Sequence, residues 1–180
     1  SRRGAAHARN AAVGVARGDI IAFTDADCIP APDWLACGEA ALAEAELVGG
    51  PIEVFVSDPA HPTAVDSFER VFAFRQPDYV MRKGFAATAN LFATRAASLA
   101  IGPFRNGLSE DVDWCRRGLT LGFRLAFNDT ARVGHPARRT FGELARKWER
   151  LIDERWNGLD GGAFSRAAAF AALAAATALS

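Results

Sequence analysis

Two aspartates one residue apart, Asp25 and Asp27, are the residues whose types and spacing most directly suggest chemistry. They follow a short apolar run at 20–23 and precede two prolines, Pro30 and Pro32, which we expect to stop any strand. Open α/β sheets place their chemistry where a buried strand delivers side chains at its carboxyl end. Two carboxylates this close repel each other unless a cation lies between them. The pattern indicates either a Mg²⁺ or Mn²⁺ site that also holds a phosphorylated ligand, or an acidic turn.

A second acidic stretch begins at Glu110 and Asp111, directly after a polar loop at 105–108. Ser109 is a good N-cap residue, and acids in a first turn complement the helix dipole, so an ordinary helix start explains the pattern. Adjacent acids after a flexible loop can also supply a general base. Both interpretations stay open at this point.

Two further polar residues lie in apolar surroundings. Asn90 lies in a run at 85–94 that is otherwise apolar or small, and a polar residue there needs partners. It is either a satisfied structural amide or a ligand contact, and we favour the contact. His135 ends a predicted short strand, and in a protein already expected to bind a metal it is a candidate ligand.

Composition limits the class of protein. Half of the 180 residues are hydrophobic, which argues against a disordered chain and allows one domain with a real core. Lys plus Arg and Asp plus Glu number 21 each, so the chain lacks the basic excess of many nucleic-acid-binding proteins. Three cysteines without a CxxC motif are typical of reduced thiols in the cytosol. We therefore expect a cytoplasmic protein, in solution or at the inner face of the cell membrane.

Periodicity predicts the elements that must position these residues. Helices are expected at 4–17, 33–47, 63–82 with a kink or end at Pro77, 96–100, 109–118 and 140–156, and strands at 19–24, 52–56, 85–94, 123–127 and 131–134. The apolar side of the third helix should carry Val65, Phe68, Val71 and Phe72, with Tyr79 as a further candidate.

The C-terminal part has two features of its own. Residues 167–179 are almost all apolar but fall short of the roughly 20 needed to span a bilayer. They form either a helix packed on the domain or the start of a membrane span. A basic cluster at 138–150 is either a solvated face or a site for diphosphate or anionic lipid headgroups. We expect one domain at 1–157 and an Ala-rich helix at 158–180.

Taken in order, the motifs resemble those of family-2 glycosyltransferases of the GT-A fold. The sequence shows ARN at 8–10, DAD at 25–27, WL at 34–35, GG at 49–50, TANL at 88–91, EDVDW at 110–114 and then the late histidine. The resemblance covers roughly 4–156 and implies an α/β fold, with a mixed sheet flanked by helices. The resemblance also implies that the first strand-helix-strand unit of the family, which binds the base and ribose, is missing from this chain. We therefore expect the isolated chain to bind donor weakly and to be catalytically poor.

On the donor side, the resemblance implies a role for each matching residue. Arg9 lies near the nucleotide, Asp25 contacts the nucleotide sugar, and Asn90 is a further donor-binding candidate. Asp27 binds the Mg²⁺ or Mn²⁺ that bridges the diphosphate. His135 joins the metal or the diphosphate.

On the acceptor side, the resemblance implies that Asp111 is the general base that deprotonates the acceptor hydroxyl, with Glu110 beside it. Trp114, Lys147 and Trp148 are candidates for acceptor contacts. Trp148 lies roughly where processive synthases carry a QxxRW motif, but the Gln and Arg positions hold other residues. That departure puts a processive polymer synthase in doubt.

The implied function is a metal-dependent hexosyltransferase that inverts the anomeric centre in a single displacement. Its partners would be a nucleotide-sugar donor and a saccharide or lipid-linked acceptor. No nucleic acid partner is expected, and an association with the membrane stays open. One alternative is a phosphatase of the haloacid-dehalogenase type, with Asp25 as nucleophile and Asp27 as acid. A non-catalytic binding module and a sugar nucleotidyltransferase are the others, the last disfavoured by the lack of a Gly-rich phosphate loop.

Overall fold

A computed structural model describes residues 4–159 and Ala167 of the protein. The helices are α1 Ala5–Val15, α2 Trp34–Ala41, α3 Ala64–Phe72, α4 Gln76–Asp78, α5 Arg95–Ile101, α6 Glu110–Thr120 and α7 Phe141–Asn157, with a π-helix at Tyr79–Lys83. The strands are β1 Ile20–Thr24, β2 Ile29–Pro30, β3 Leu47–Gly49, β4 Ile52–Phe55, β5 Asn90–Thr94, β6 Leu125–Phe127 and β7 Val133–Pro136. Within these described residues no helix combines the length and the apolar character needed to cross a membrane.

Two sheets carry the architecture. The larger has the order β1-β5-β3-β6, in which β5 runs antiparallel to both β1 and β3 while β3 and β6 are parallel. The smaller has the order β2-β7-β4, with β7 antiparallel to β2 and parallel to β4. The expected mixed α/β architecture is therefore confirmed.

The central strands of the larger sheet are buried on both faces. On one face Leu47 and Leu91 pack with Trp114 of α6, all three fully buried. On the other face Phe92 packs against α2, where a Cβ on Gly38 would lie 2.2 Å from the phenylalanine ring. A residue without a side chain is required at that point of α2, and this close approach fixes the helix on the sheet.

The second helix is shorter than predicted. It ends at Ala41, and Leu47, which the prediction included in the helix, begins β3 instead. Leu47 and Val48 are completely buried between β5 and β6. Burial in the sheet thus outweighs the helix propensity of the Ala- and Glu-rich residues before them.

The predicted helix at 63–82 is broken earlier than Pro77. Phe74 adopts a left-handed backbone, with φ of 53°, so the chain turns before the proline. The predicted apolar side is right only for Val65, which is buried, because Val71 and Phe72 are exposed whereas Glu69 is buried. The face of α3 that meets the protein is partly charged.

Two other expectations differ from the structure. Pro30 does not stop the chain from pairing, because β2 is an edge strand that uses only its β7 side. His135 lies inside β7 rather than after it. The Ala-rich helix expected at 158–180 lies almost entirely outside the described residues.

Candidate active site and metal centre

The acidic motif forms a tight turn at the end of β1. The backbone N–H of Cys28 donates to the carbonyl oxygen of Asp25 over 3.1 Å, which closes a four-residue turn around Asp27. Strand β1 itself is held by β5, with Thr24 opposite Asn90. The turn therefore holds the carboxylates at a fixed place beside the sheet edge.

His135 faces this turn from β7. It is 6% exposed, and its Nδ1 lies 2.7 Å from the carbonyl oxygen of Pro136. A carbonyl only accepts, so Nδ1 carries a proton, and in the neutral ring Nε2 therefore presents the lone pair. That Nε2 lies 3.9 Å from Oδ1 of Asp27. The ring of Phe74, the residue with left-handed backbone, packs on the imidazole with centroids 4.6 Å apart.

Four potential ligand atoms converge here. One each from Asp25, Asp27, Cys28 and His135 lie within 4.8 Å of one another. Carboxylate donors suit a divalent cation such as Mg²⁺ or Mn²⁺, so the two aspartates present fit the expected metal. Burial raises the pKa of the Cys28 thiol, and the neighbouring carboxylates raise it further.

Arg9 of α1 joins the metal-side acids to the second acidic stretch. Its guanidinium donates to Oε1 of Glu110 over 2.7 Å and to Oδ1 of Asp25 over 3.3 Å. The arginine lies over the ring of Phe104, 5.9 Å from its centroid, and is 19% exposed. One cation therefore positions two carboxylates that are far apart in sequence.

Asp111 has the most perturbed carboxyl of the site. Burial raises its pKa to about 6, and the negative charge of Glu110 adds to the rise. The backbone N–H of Val112 donates to Asp111 Oδ1 over 2.8 Å and, with the charge of Arg9, opposes the rise. A carboxyl with this pKa is suited to exchanging protons near neutral pH.

Two residues near Asp111 were not expected from the sequence. Burial raises the pKa of Glu154 on α7, and the charges of Glu110 and Asp111 raise it further. Burial also raises the pKa of Tyr79, with Asp111 among the charges that contribute. Tyr79 lies in a π-helix, a feature that is frequent at functional sites. This feature is visible in the structure, but nothing in the sequence distinguishes the segment from an α-helix.

Asn90 is a structural amide, so the favoured ligand-contact interpretation is corrected. It is completely buried, and its amide donates to the carbonyl oxygens of Pro51 and Ala131 over 2.8 and 2.7 Å. Its Oδ1 accepts from the indole of Trp34 over 2.9 Å. Both donors are thus used within the protein, and the residue ties β5 to the segments that lead into β4 and β7.

Trp114 also has a structural place rather than an open one. It is fully buried, stacks on Phe104 with centroids 4.9 Å apart, and donates its indole N–H to the carbonyl oxygen of Gly102. A side chain in that position cannot contact an acceptor directly, and the expected acceptor role is corrected. The EDVDW motif reads as one unit in sequence, but its tryptophan faces the core.

Lys147 and Trp148 lie on α7. Lys147 donates to Oε1 of the buried Glu69 over 2.7 Å, and Arg138 donates to the other oxygen over 2.8 Å. Burial lowers the pKa of Lys147, while its pair with Glu69 opposes that effect. Its Nζ also lies 5.6 Å from the centroid of Phe74, next to the histidine. Trp148 is 46% exposed, so its acceptor contact stays a prediction.

Comparison with known proteins identifies the family of the chain. The sequence profile described as Glycosyl transferase family 2 matches residues 1–100. The glycosyltransferase AglE of Haloferax volcanii is 32% identical over 154 residues, which cover 83% of this chain and 50% of AglE. The chain therefore spans about half the length of that curated relative.

Solved structures share the fold at lower identity. The mannosyltransferase PcManGT from Pyrobaculum calidifontis, in complex with GDP-Man and Mn²⁺, is 22% identical with a TM-score of 0.60, covering 89% of this chain and 45% of that one. GalNAc-T7 with UDP, GalNAc and Mn²⁺ is 19% identical with a TM-score of 0.54, covering 75% and 31%. The fold is that of GT-A-type enzymes.

Proposed function

This chain belongs to Glycosyl transferase family 2, and from that premise we propose that it moves a hexose from a nucleoside-diphosphate donor to an acceptor hydroxyl, with a divalent metal and with inversion. The observation that carries the proposal is the bridge made by Arg9. It ties Asp25, in the potential metal cluster, to Glu110, beside the perturbed carboxyl of Asp111. Donor-binding and base-supplying groups thus form one site.

Asp27 and His135 would hold the metal, which supplies Lewis-acid stabilisation to the departing diphosphate. The fixed tautomer of the histidine and the exposed carboxylate of Asp27 support this assignment. Two structural relatives contain Mn²⁺ beside GDP-Man or UDP, which supports a divalent ion but leaves Mg²⁺ and Mn²⁺ as equal choices. Asp25 and Arg9 would contact the donor from the α1 side.

Asp111 would act as the general base. With a pKa of about 6 it is mostly ionised at neutral pH, yet basic enough to take a proton. It removes the acceptor hydroxyl proton while that oxygen attacks the anomeric carbon. The bond from this carbon to the diphosphate breaks in the same step, and the nucleoside diphosphate leaves. Glu110 positions Arg9 beside the base.

The acceptor we propose is a saccharide or a lipid-linked hydroxyl, with no nucleic acid partner. Tyr79 is the residue we propose for an acceptor subsite near Asp111, because the charge of Asp111 contributes to its raised pKa and its ring stacks on Phe85 with centroids 4.8 Å apart. The phosphatase alternative gains no support, since the family of the chain is a transferase family. The binding-module alternative differs from our proposal in predicting no turnover.

The test compares three variants of the full-length protein, assayed for release of nucleoside diphosphate from UDP- and GDP-hexoses with Mn²⁺. Asp111→Asn should lower turnover by about 10²–10⁴-fold and leave donor binding largely intact. Asp27→Ala should weaken the metal-dependent part of donor binding. Asp129→Asn, in an exposed turn, is the control. Near-normal turnover of both site variants would show that these assignments are wrong.

A further inference from the structure

The acidic turn places a sulfur atom among the oxygen and nitrogen ligands. Strand β2 starts directly after Cys28, and Ile29 pairs with Gly134 in the antiparallel ladder with β7. One step earlier in the same register, Cys28 comes opposite His135. Opposed residues of an antiparallel pair have Cβ atoms about 4.5–5.5 Å apart on the same face. Strand pairing therefore sets the thiol beside the imidazole.

The turn itself brings the carboxylates to the same face. Its closing hydrogen bond runs from the Cys28 N–H to the Asp25 carbonyl, so the three side chains at its first, third and fourth positions lie close together. One ligand atom from each, with one from His135, falls within 4.8 Å of the others. Two independent constraints, a turn and a strand pair, thus build the four-donor set.

These donors differ in hardness. Carboxylates suit Mg²⁺ and Mn²⁺, whereas a thiolate with an imidazole selects softer ions, and Zn²⁺ above all prefers four such ligands in a tetrahedron. Zn–N and Zn–S lengths of about 2.0–2.3 Å put tetrahedral ligand atoms roughly 3.3–3.8 Å apart. The four ligand atoms lie within 4.8 Å of one another, and rotation of the side chains can shorten these distances to the tetrahedral values.

We propose that Cys28 is a metal ligand and that, without donor, this site binds Zn²⁺ through Asp25, Asp27, Cys28 and His135. The thiol proton passes to solvent when the sulfur coordinates the ion. A zinc ion with four protein ligands has no open position, unlike a catalytic metal site. The zinc form therefore cannot accept a diphosphate, a consequence that rests on the proposed function.

Zinc would then compete with the hard metal of the reaction. Binding of Mn²⁺ by Asp27 and His135 does not need the sulfur, whereas tight Zn²⁺ binding does. For a given set of donors, Zn²⁺ also binds more strongly than Mn²⁺. The site would sense zinc through a residue that the transfer reaction itself does not use.

The test uses Co²⁺ as a spectroscopic substitute for Zn²⁺ in the 180-residue chain. Thiolate coordination gives a charge-transfer band in the near ultraviolet, which we expect in the wild type and which added Zn²⁺ should remove. Cys28→Ser should lack the band. Changes to the groups around metal ligands lower metal affinity by roughly 10–100-fold, so loss of a ligand itself should lower the Zn²⁺ affinity by at least that much. Cys37→Ser is the matched control, since this half-buried cysteine lies on α2 outside the cluster.

Mn²⁺ binding, followed by the electron paramagnetic resonance of the free ion, separates this inference from the proposed function. Cys28→Ser should bind Mn²⁺ nearly as well as the wild type, and Cys28→Ala should behave in the same way. A wild-type protein that binds Mn²⁺ but shows no sulfur band with Co²⁺ would overturn the zinc site alone. A clear sulfur band without any Mn²⁺-dependent binding of nucleoside diphosphate would support the zinc site and contradict the proposed function.

Discussion

Replacing Asp111 with asparagine should stabilise the protein while it lowers turnover by about 10²–10⁴-fold. The hydrogen bond from the Val112 N–H to Oδ1 can persist, because an asparagine side-chain oxygen accepts in the same place. The change removes a carboxylate that burial and the neighbouring Glu110 make costly to ionise. A residue retained at such a cost to stability is expected where function needs it.

The size of the effect follows from the pKa. It rises from an ordinary 3.8 to about 6 in the folded protein. At about 1.36 kcal/mol per pKa unit, the difference corresponds to at most about 3 kcal/mol. Between these two values the folded protein holds a proton that the unfolded chain has lost, so the free energy of unfolding falls as pH rises. Above pH 6 the full cost of the charge is present.

Urea unfolding of wild type and Asp111→Asn from pH 4 to 8 measures this directly. The two free energies of unfolding should nearly coincide at pH 4 and differ by up to about 3 kcal/mol above pH 7, with the asparagine variant more stable. Asp129→Asn, in an exposed turn, controls for the chemistry of the exchange. A variant that is less stable than wild type at pH 8, or a difference that does not depend on pH, would refute the reasoning.

Three other changes test the fold and the metal side. Gly38→Ala puts a Cβ 2.2 Å from the buried ring of Phe92, so it should lower the free energy of unfolding in urea by about 1–3 kcal/mol. Gly14→Ala is the matched change at a position of α1 with open space, and it should raise the free energy of unfolding by up to about 1 kcal/mol. Glu69→Gln leaves a lysine and an arginine without a counter-charge and should cost about 3 kcal/mol, the low end for a broken buried pair because glutamine still accepts hydrogen bonds. Phe74→Gly relieves about 1 kcal/mol of left-handed strain but loses up to about 3 kcal/mol of ring burial, so the protein should be less stable. The change also removes the ring on His135, so Mn²⁺ affinity of the folded protein should fall about tenfold, and unchanged affinity would contradict a positioning role.

The larger elements and the acidic turn could be predicted because their signals are local. An apolar run followed by Asp25 and Asp27 is enough to place β1 and its end to within one residue. Helix α7 was predicted to within one residue from its apolar periodicity, and in the structure Thr140 and Glu143 form a capping box at its start. Where the pattern of a segment and its own hydrogen bonds agree, sequence reasoning suffices.

The misses come from contacts between distant segments. Glu69 is buried because Arg138 and Lys147, about 70–80 residues later, neutralise it, so the hydrophobic pattern of α3 alone could not show which of its residues face the protein. Strand β3 is only three residues long and gives no periodic signal. Asn90 was assigned to a ligand because its three internal partners lie on other elements.

The most direct test of the account is a calorimetric titration of the full-length protein with GDP and with UDP, with Mn²⁺ present and with the metal removed by chelation. We predict that at least one nucleoside diphosphate binds only with Mn²⁺, and that Asp27→Ala abolishes this dependence while Asp129→Asn keeps it. Binding that is equally strong without the metal, or unchanged in Asp27→Ala, would contradict a metal-bridged diphosphate at the acidic turn.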